Sequence, residues 1–125
     1  MNICSYMEGK LTSVVPFRPL GRRLADDQVV DLADMFRLLG DGSRLRIVLA
    51  CLDGPHSVGE LAADLGLSQS LVSHHLRLLR AARLLKAERR GKQVHYSIAD
   101  DHVRRVLVDM VAHVDEPRAS PEGDI

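Results

Sequence analysis

Tryptophan is absent from this 125-residue chain and aromatic side chains make up only 3% of it, so any core has to be built from Leu, Val, Ala, Ile and Met. Cysteine is nearly absent too. Cys4 and Cys51 are too few for a disulfide framework and do not show Cys-x-x-Cys spacing. No apolar run approaches the roughly 18 residues of a membrane span, and the N-terminus lacks an apolar signal core with a cleavage site, so a cytoplasmic protein without a membrane partner is expected. An excess of either charge is also missing: 17 basic residues balance 17 acidic ones. Taken alone, that balance argues against a nucleic-acid binder. There is no internal repeat and no low-complexity block.

The distribution of charge reverses that inference. Between Arg77 and Lys92 stand Arg77, Arg80, Arg83, Lys86, Arg89, Arg90 and Lys92 against Glu88 alone, whereas from Asp100 onward acids outnumber lysines and arginines. One segment suits phosphate and the other suits cations.

Residues 1–23 lack clear periodicity and include Pro16 and Pro19, so they are read as a flexible arm; residues 24–116 as the folded domain; and residues 117–125 as a polar tail. Asp26 or Asp27 offers an N-cap to a first helix in which Val29, Leu32, Ala33, Phe36 and Leu39 recur at helical spacing up to Gly40. A second helix is expected from about Ser43 to Leu52, with Leu45, Val48, Leu49 and Leu52 inward and Cys51 as an inert core thiol. Ser57 and Glu60 form a capping box for a short helix through Leu61, Ala62 and Leu65, which Gly66 breaks.

Ser68 caps the next helix after a tight turn, giving a helix-turn-helix. Val72, Leu76 and Leu79 are its buried stripe. Ser68, Gln69, Ser70, Ser73, His74 and Arg77 are the expected DNA contacts, because small or cationic side chains approach base edges and phosphates without clashing. His75 falls at the edge of the buried face as a satisfied core histidine, and His56 and His95 read as surface groups. The stretch from Leu84 to Ile98 turns at Arg89-Arg90-Gly91-Lys92, and Val94, Tyr96 and Ile98 alternate with His95 and Ser97. The expected fold is therefore mainly α with a small β-hairpin, a winged helix-turn-helix whose wing carries Arg89, Arg90 and Lys92 to the DNA. A last helix from Asp100 or Asp101 to Pro117 carries Val103, Val106, Leu107, Met110, Val111 and Val114. That apolar surface is broader than one monomer contact needs, and a helix apolar over so much of its circumference usually meets a second chain.

The last helix also carries the one metal-ligand constellation of the chain, Asp100, His102, His113 and Glu116. Two imidazoles and two carboxylates suit a zinc-like divalent ion. On one helix the two histidines point the same way but stand about 16 Å apart along the axis, so one ion cannot reach both. Antiparallel pairing of two such helices would complete each pair with its partner chain, which predicts two equivalent intersubunit sites. The competing reading makes Asp100 a helix cap, places His102 and His113 at a dimer seam and leaves Glu116 a solvated end.

The run Leu38-Leu39-Gly40-Asp41-Gly42-Ser43-Arg44-Leu45-Arg46-Ile47, then Val58-Gly59-Glu60-Leu61-Ala62, Ser68-Gln69-Ser70-Leu71-Val72-Ser73-His74-His75-Leu76 and Arg90-Gly91 to Tyr96 closely resembles the ArsR/SmtB family of winged-helix metal-responsive repressors. The resemblance covers roughly residues 26–116. It implies a homodimer through the first and last helices, operator binding by the helix from Ser68, and release of DNA when an inducer binds. In the zinc-sensing branch the ligand pattern falls on Asp100, His102, His113 and Glu116. The Cys-x-Cys positions of other branches fall on Ser57 and Gly59, so a thiolate site is not expected. Many relatives have Gly where this chain has Arg83, which puts a non-glycine residue at a left-handed position or alters the turn. The resemblance also implies a hydrogen bond from the His113 ring to a backbone carbonyl near Arg83.

The expected function is a repressor released by Zn2+, with Co2+ or Ni2+ possible, acting on double-stranded operator DNA without a small organic substrate. A same-fold repressor responding to a thiol-redox signal through Cys4 or Cys51 is the alternative. A metallohydrolase is disfavoured, because four protein ligands leave no open coordination position and no separate general base is present.

Overall fold

The computed structural model describes residues 23–118, so the expectations placed on the arm, Cys4 included, and on most of the tail lie outside the described residues. The described residues fall in two units, 23–30 and 31–118, with the boundary inside α1 (Asp26–Leu39). In the described part of the first unit, Gln28 Oε1 accepts from the Ala25 backbone N–H at 2.8 Å. Asp26 and Asp27 therefore lie in the first turn and do not cap it; there their charges face the positive end of the helix dipole.

In the second unit α2 (Gly42–Leu52) is capped by Asp41, whose side chain accepts from the Arg44 N–H at 3.0 Å. A two-residue strand β1 (His56–Ser57) leads into α3 (Val58–Leu65), which starts on the full Ser57–Glu60 capping box. Then come α4 (Gln69–Ala81), β2 (Leu85–Arg90), β3 (Gln93–Ile98) and α5 (Asp101–Asp115). The sheet is antiparallel in the order β1-β3-β2, with Leu85 opposite Ile98 and Ala87 opposite Tyr96. β1 has no sequence signature of its own; it exists because His56 and Ser57 pair with Tyr96 and His95. Among the described residues no helix is long and apolar enough to cross a membrane.

The core gathers Ile47, Val48 and Cys51 of α2, Leu61 of α3, Val72, Leu76 and Leu79 of α4, and Leu85, Ile98 and Leu107. Two inward faces differ from the sequence expectation. In α2 the fully buried positions are Ile47, Val48 and Cys51, whereas Leu45 and Leu49 are half-buried. In α1, Met35, Leu38 and Leu39 pack on the core while Leu32 and Phe36 stay exposed, Phe36 by 60%. Periodicity identified the apolar stripe but not which edge of it the core takes.

The same six-residue hydrogen-bonded turn closes α3 and α4. Leu67 N–H donates to the Ala62 carbonyl at 3.1 Å, and Leu84 N–H to the Leu79 carbonyl at 2.9 Å. The left-handed residue is Gly66 in the first turn and Arg83, at φ 63, in the second. A side chain there costs on the order of 1–2 kcal/mol, so Arg83 is held by the packing of Leu79 and Leu84 on either side of the turn.

Candidate functional site

Asp100 is the N-cap of α5, with its Oδ1 accepting from the Val103 N–H at 3.0 Å. That hydrogen bond, and after it the neighbouring His102, hold the carboxyl below its ordinary pKa, so it stays an anion at neutral pH. The His102 side chain is 97% exposed, and its Nδ1 lies 3.8 Å from Asp100 Oδ1. The cap uses one lone pair of one oxygen and leaves the rest of the carboxylate free, so capping and ligation are compatible roles. At the far end of α5 His113 and Glu116 are both exposed, and the Glu116 N–H donates to the His113 carbonyl at 3.3 Å. His102 and His113 both lie within this 15-residue helix, with ten residues between them. Among the described residues no three His, Cys, Asp or Glu side chains come together in one chain to hold an ion.

What the sequence did not reveal is where the Asp100 end of α5 lies. The Ala99 N–H donates to the Leu84 carbonyl at 3.1 Å, so the hairpin folds back and brings the start of α5 to the end of α4. Asp100 and His102 thus share one pocket with Arg80 and Arg83. Asp100 and His102 and the closing turn of α4 are neighbours.

On α4, Gln69, Ser70, His74 and Arg77 are exposed and Ser73 is half-buried. Ser68 is exposed, but its hydroxyl already accepts from the Leu71 N–H at 3.1 Å, so its role is first that of a cap. Arg89, Arg90 and Lys92 are exposed at the tip of the β2–β3 hairpin, where Gly91 takes φ 64 and Glu88 lies 3.8 Å from the Arg90 guanidinium.

Three histidines behave differently from the sequence reading. His75 is buried, 7% exposed, but no partner for its Nδ1 exists among the described residues, so it is not a satisfied core histidine. His95 is half-buried with its Nδ1 enclosed and likewise unpartnered there, and the His56 Nδ1 lies 2.8 Å from the Gly54 carbonyl; neither is a free surface group. Burial depresses the His75 pKa. The Arg44 guanidinium acts in the same direction, Asp41 opposes it, and His74, whose ring lies 5.7 Å away, adds to the depression. A depressed histidine contributes stability that is present above the unfolded value of about 6.5 and is lost as pH falls through the folded value. Urea unfolding from about pH 8 to about pH 5 should therefore show stability falling on the acid side, and His75→Phe should flatten that limb. An unchanged slope in the variant would exclude His75 as its source.

Cys51 is fully buried, and desolvation pushes its thiol up to about 12. Such a thiol supplies almost no thiolate at neutral pH, which argues against redox sensing through Cys51.

These elements make up a winged helix-turn-helix. Residues 41–87 match the family described as bacterial regulatory protein, arsR family. Over 90 residues the chain is 42% identical to a transcriptional repressor SmtB homolog of Synechocystis sp., covering 72% of this chain and 68% of that one. It is 48% identical over 80 residues to the transcriptional regulator CmtR of Mycobacterium tuberculosis, covering 64% and 68%. A solution structure from Mycobacterium bovis, described as a homodimeric winged helix-turn-helix DNA-binding domain, superposes with a TM-score of 0.65 at 27% identity over 77% of this chain and 95% of that one. The chain belongs to the ArsR family, and these relatives are transcriptional regulators, not enzymes.

Proposed function

We propose that the protein is a metal-responsive transcriptional repressor of the cytoplasm, which binds operator DNA as a homodimer and leaves it when zinc, or cobalt or nickel in its place, occupies two intersubunit sites on α5. The observation that carries this reading is the pocket shared by Asp100, His102, Arg80 and Arg83, which joins one half of the donor set to the end of α4. The donor chemistry fits: two imidazoles and two carboxylates suit a tetrahedral zinc ion. An ion there would supply a fixed point between two chains. Asp100 and His102 of one chain, with His113 and Glu116 of the other, would hold it.

Dimerisation is supported by the apolar surface that a single chain leaves bare. Val106, Met110 and Val114 are exposed on α5, Val114 by 76%, beside the exposed Leu32 and Phe36 of α1. Leu32, Phe36, Val103 and Val106 line a groove without polar surface, which a second copy of α1 and α5 would cover. Because the donor pair borders the turn that ends α4, fixing the crossing of two α5 helices fixes the separation of two recognition helices. Those must match half-sites about one helical turn apart. By linkage, an ion favouring the DNA-incompetent spacing weakens DNA binding by the factor by which DNA weakens ion binding.

The test is direct. Operator fragments selected from a random duplex pool are titrated with purified protein, with and without zinc, cobalt and nickel. Tight binding that zinc weakens by roughly 5- to 150-fold is expected. Binding indifferent to all three metals would refute the reading.

A further inference from the structure

The sequence reading left Arg80 and Tyr96 outside the DNA set, yet the fold places them in one groove with residues inside it. Ser73, Arg77 and Arg80 follow one another at i, i+4 and i+7 on α4, so they share a face of the helix. β3 packs its Tyr96 side opposite that face, because Tyr96 lies on the same side of the sheet as Ile98, which is buried in the core. Between them lies an open groove of about 490 Å³, lined by Ser73, Leu76, Arg77, Arg80, Ala81 and Tyr96. No acidic side chain lines it. Among the described residues neither Arg77 nor Arg80 is held in an ion pair. Within the groove the two guanidiniums, beside a serine and a tyrosine hydroxyl, face no carboxylate of the described residues and offer a set of donors to an outside anion.

Resting on the repressor reading above, we infer that this groove is a clamp for one phosphate of the DNA backbone, set between the recognition helix and the base of the wing. Arg80 and Tyr96 are its two unassigned members. The groove's position decides the class of ligand. Its helical wall is continuous with Ser70 and His74, and the hairpin that supplies Tyr96 ends in Arg89, Arg90 and Lys92, so duplex DNA laid against both passes over it. Arg77 and Arg80 supply charge and planar paired donors, whereas Ser73 and Tyr96 supply neutral donors. The tyrosine ring is partly buried against the core, which fixes its hydroxyl with little freedom left to lose. Arg80 also borders the pocket of Asp100 and His102, so the groove and that pocket share a residue.

The contact carries no sequence information, and the experiment uses that property. The full chain, Arg80→Gln and Tyr96→Phe are compared on a selected operator and on a duplex of arbitrary sequence, across a salt series, with unfolding midpoints confirming the fold. Arg80→Gln should weaken both duplexes alike and lower the salt slope by roughly 2 per dimer, since each lost phosphate contact contributes about 0.9. Tyr96→Phe should weaken both by roughly tenfold per dimer with the slope unchanged, because a neutral hydrogen bond releases no counterion. Wild-type binding with an unchanged slope in Arg80→Gln overturns the clamp, as does a loss confined to the selected operator, which marks base reading. Full affinity in Tyr96→Phe removes the hydroxyl from it. If the unsubstituted chain binds neither duplex, the repressor reading and the clamp fall together.

Discussion

His113→Gln is expected to leave operator affinity in metal-free buffer within about twofold of the unsubstituted chain, and to abolish its weakening by zinc. His113 is exposed on the last turns of α5, so the substitution disturbs no packing in the chain. It removes one of the two donors that this end of the helix offers, and a site left with three is both weaker and open to water. His102→Gln should behave alike from the other end, its side chain being almost entirely in solvent. The two variants together test the intersubunit arrangement itself. A mixed dimer of one His113→Gln chain and one His102→Gln chain keeps one site whole, built from Asp100 and His102 of the first chain and His113 and Glu116 of the second. Both lesions fall in its other site. Such a dimer should recover one tight zinc per dimer, measured by competition with a metallochromic indicator, whereas either homodimer recovers none. If each chain ligated zinc by itself, the mixture would recover nothing, and the reading would be wrong.

The parts of this molecule legible in its sequence are those decided within one turn of chain. Ser57 with Glu60, Gly66 and Ser68 specify helix ends through hydrogen bonds spanning three to five residues, and the structure forms each of them. Asp100 belongs to the same class as a helix cap, since its side chain accepts from the N–H of Val103 three residues on. Features that depend on a distant partner were not legible. β1 is a strand only because β3 lies beside it, and His75 and His95 lose their solvent to side chains far away in the chain. Arg83 lies between these cases: its left-handed position follows from helix-ending geometry, but its nearness to Asp100 depends on the hairpin returning through the bond between Ala99 and Leu84. Arg80 is the sharpest example. Its charge was plain and its helical face could be counted, but the groove it lines needs Tyr96, supplied from across the sheet.

The largest effect on stability is expected at Leu79. Its side chain is fully buried among the core residues of α2, α4 and the hairpin, and its backbone carbonyl accepts the hydrogen bond from Leu84 that closes α4. Leu79→Ala removes buried methyl groups and leaves a void in that core, so a loss of about 3–5 kcal/mol is expected. Set against the roughly 5–15 kcal/mol that holds a domain of this kind together, that is at least a fifth and as much as the whole. Urea unfolding of metal-free protein should show the midpoint falling while the slope stays unchanged. Leu71→Ala on the same helix is the natural comparison, because Leu71 is exposed and should cost less than about 1 kcal/mol. A Leu79 variant as stable as the Leu71 variant would mean that α4 is not anchored where the structure places it. That anchor has a functional side. Leu79 sits one residue before Arg80 and four before Arg83, so the contact that holds α4 in the core also fixes the turn bordering Asp100 and His102. A partly destabilised Leu79 variant should therefore lose the zinc effect on DNA before it loses DNA binding, because phosphate contacts tolerate a loosened helix and a coupled spacing does not.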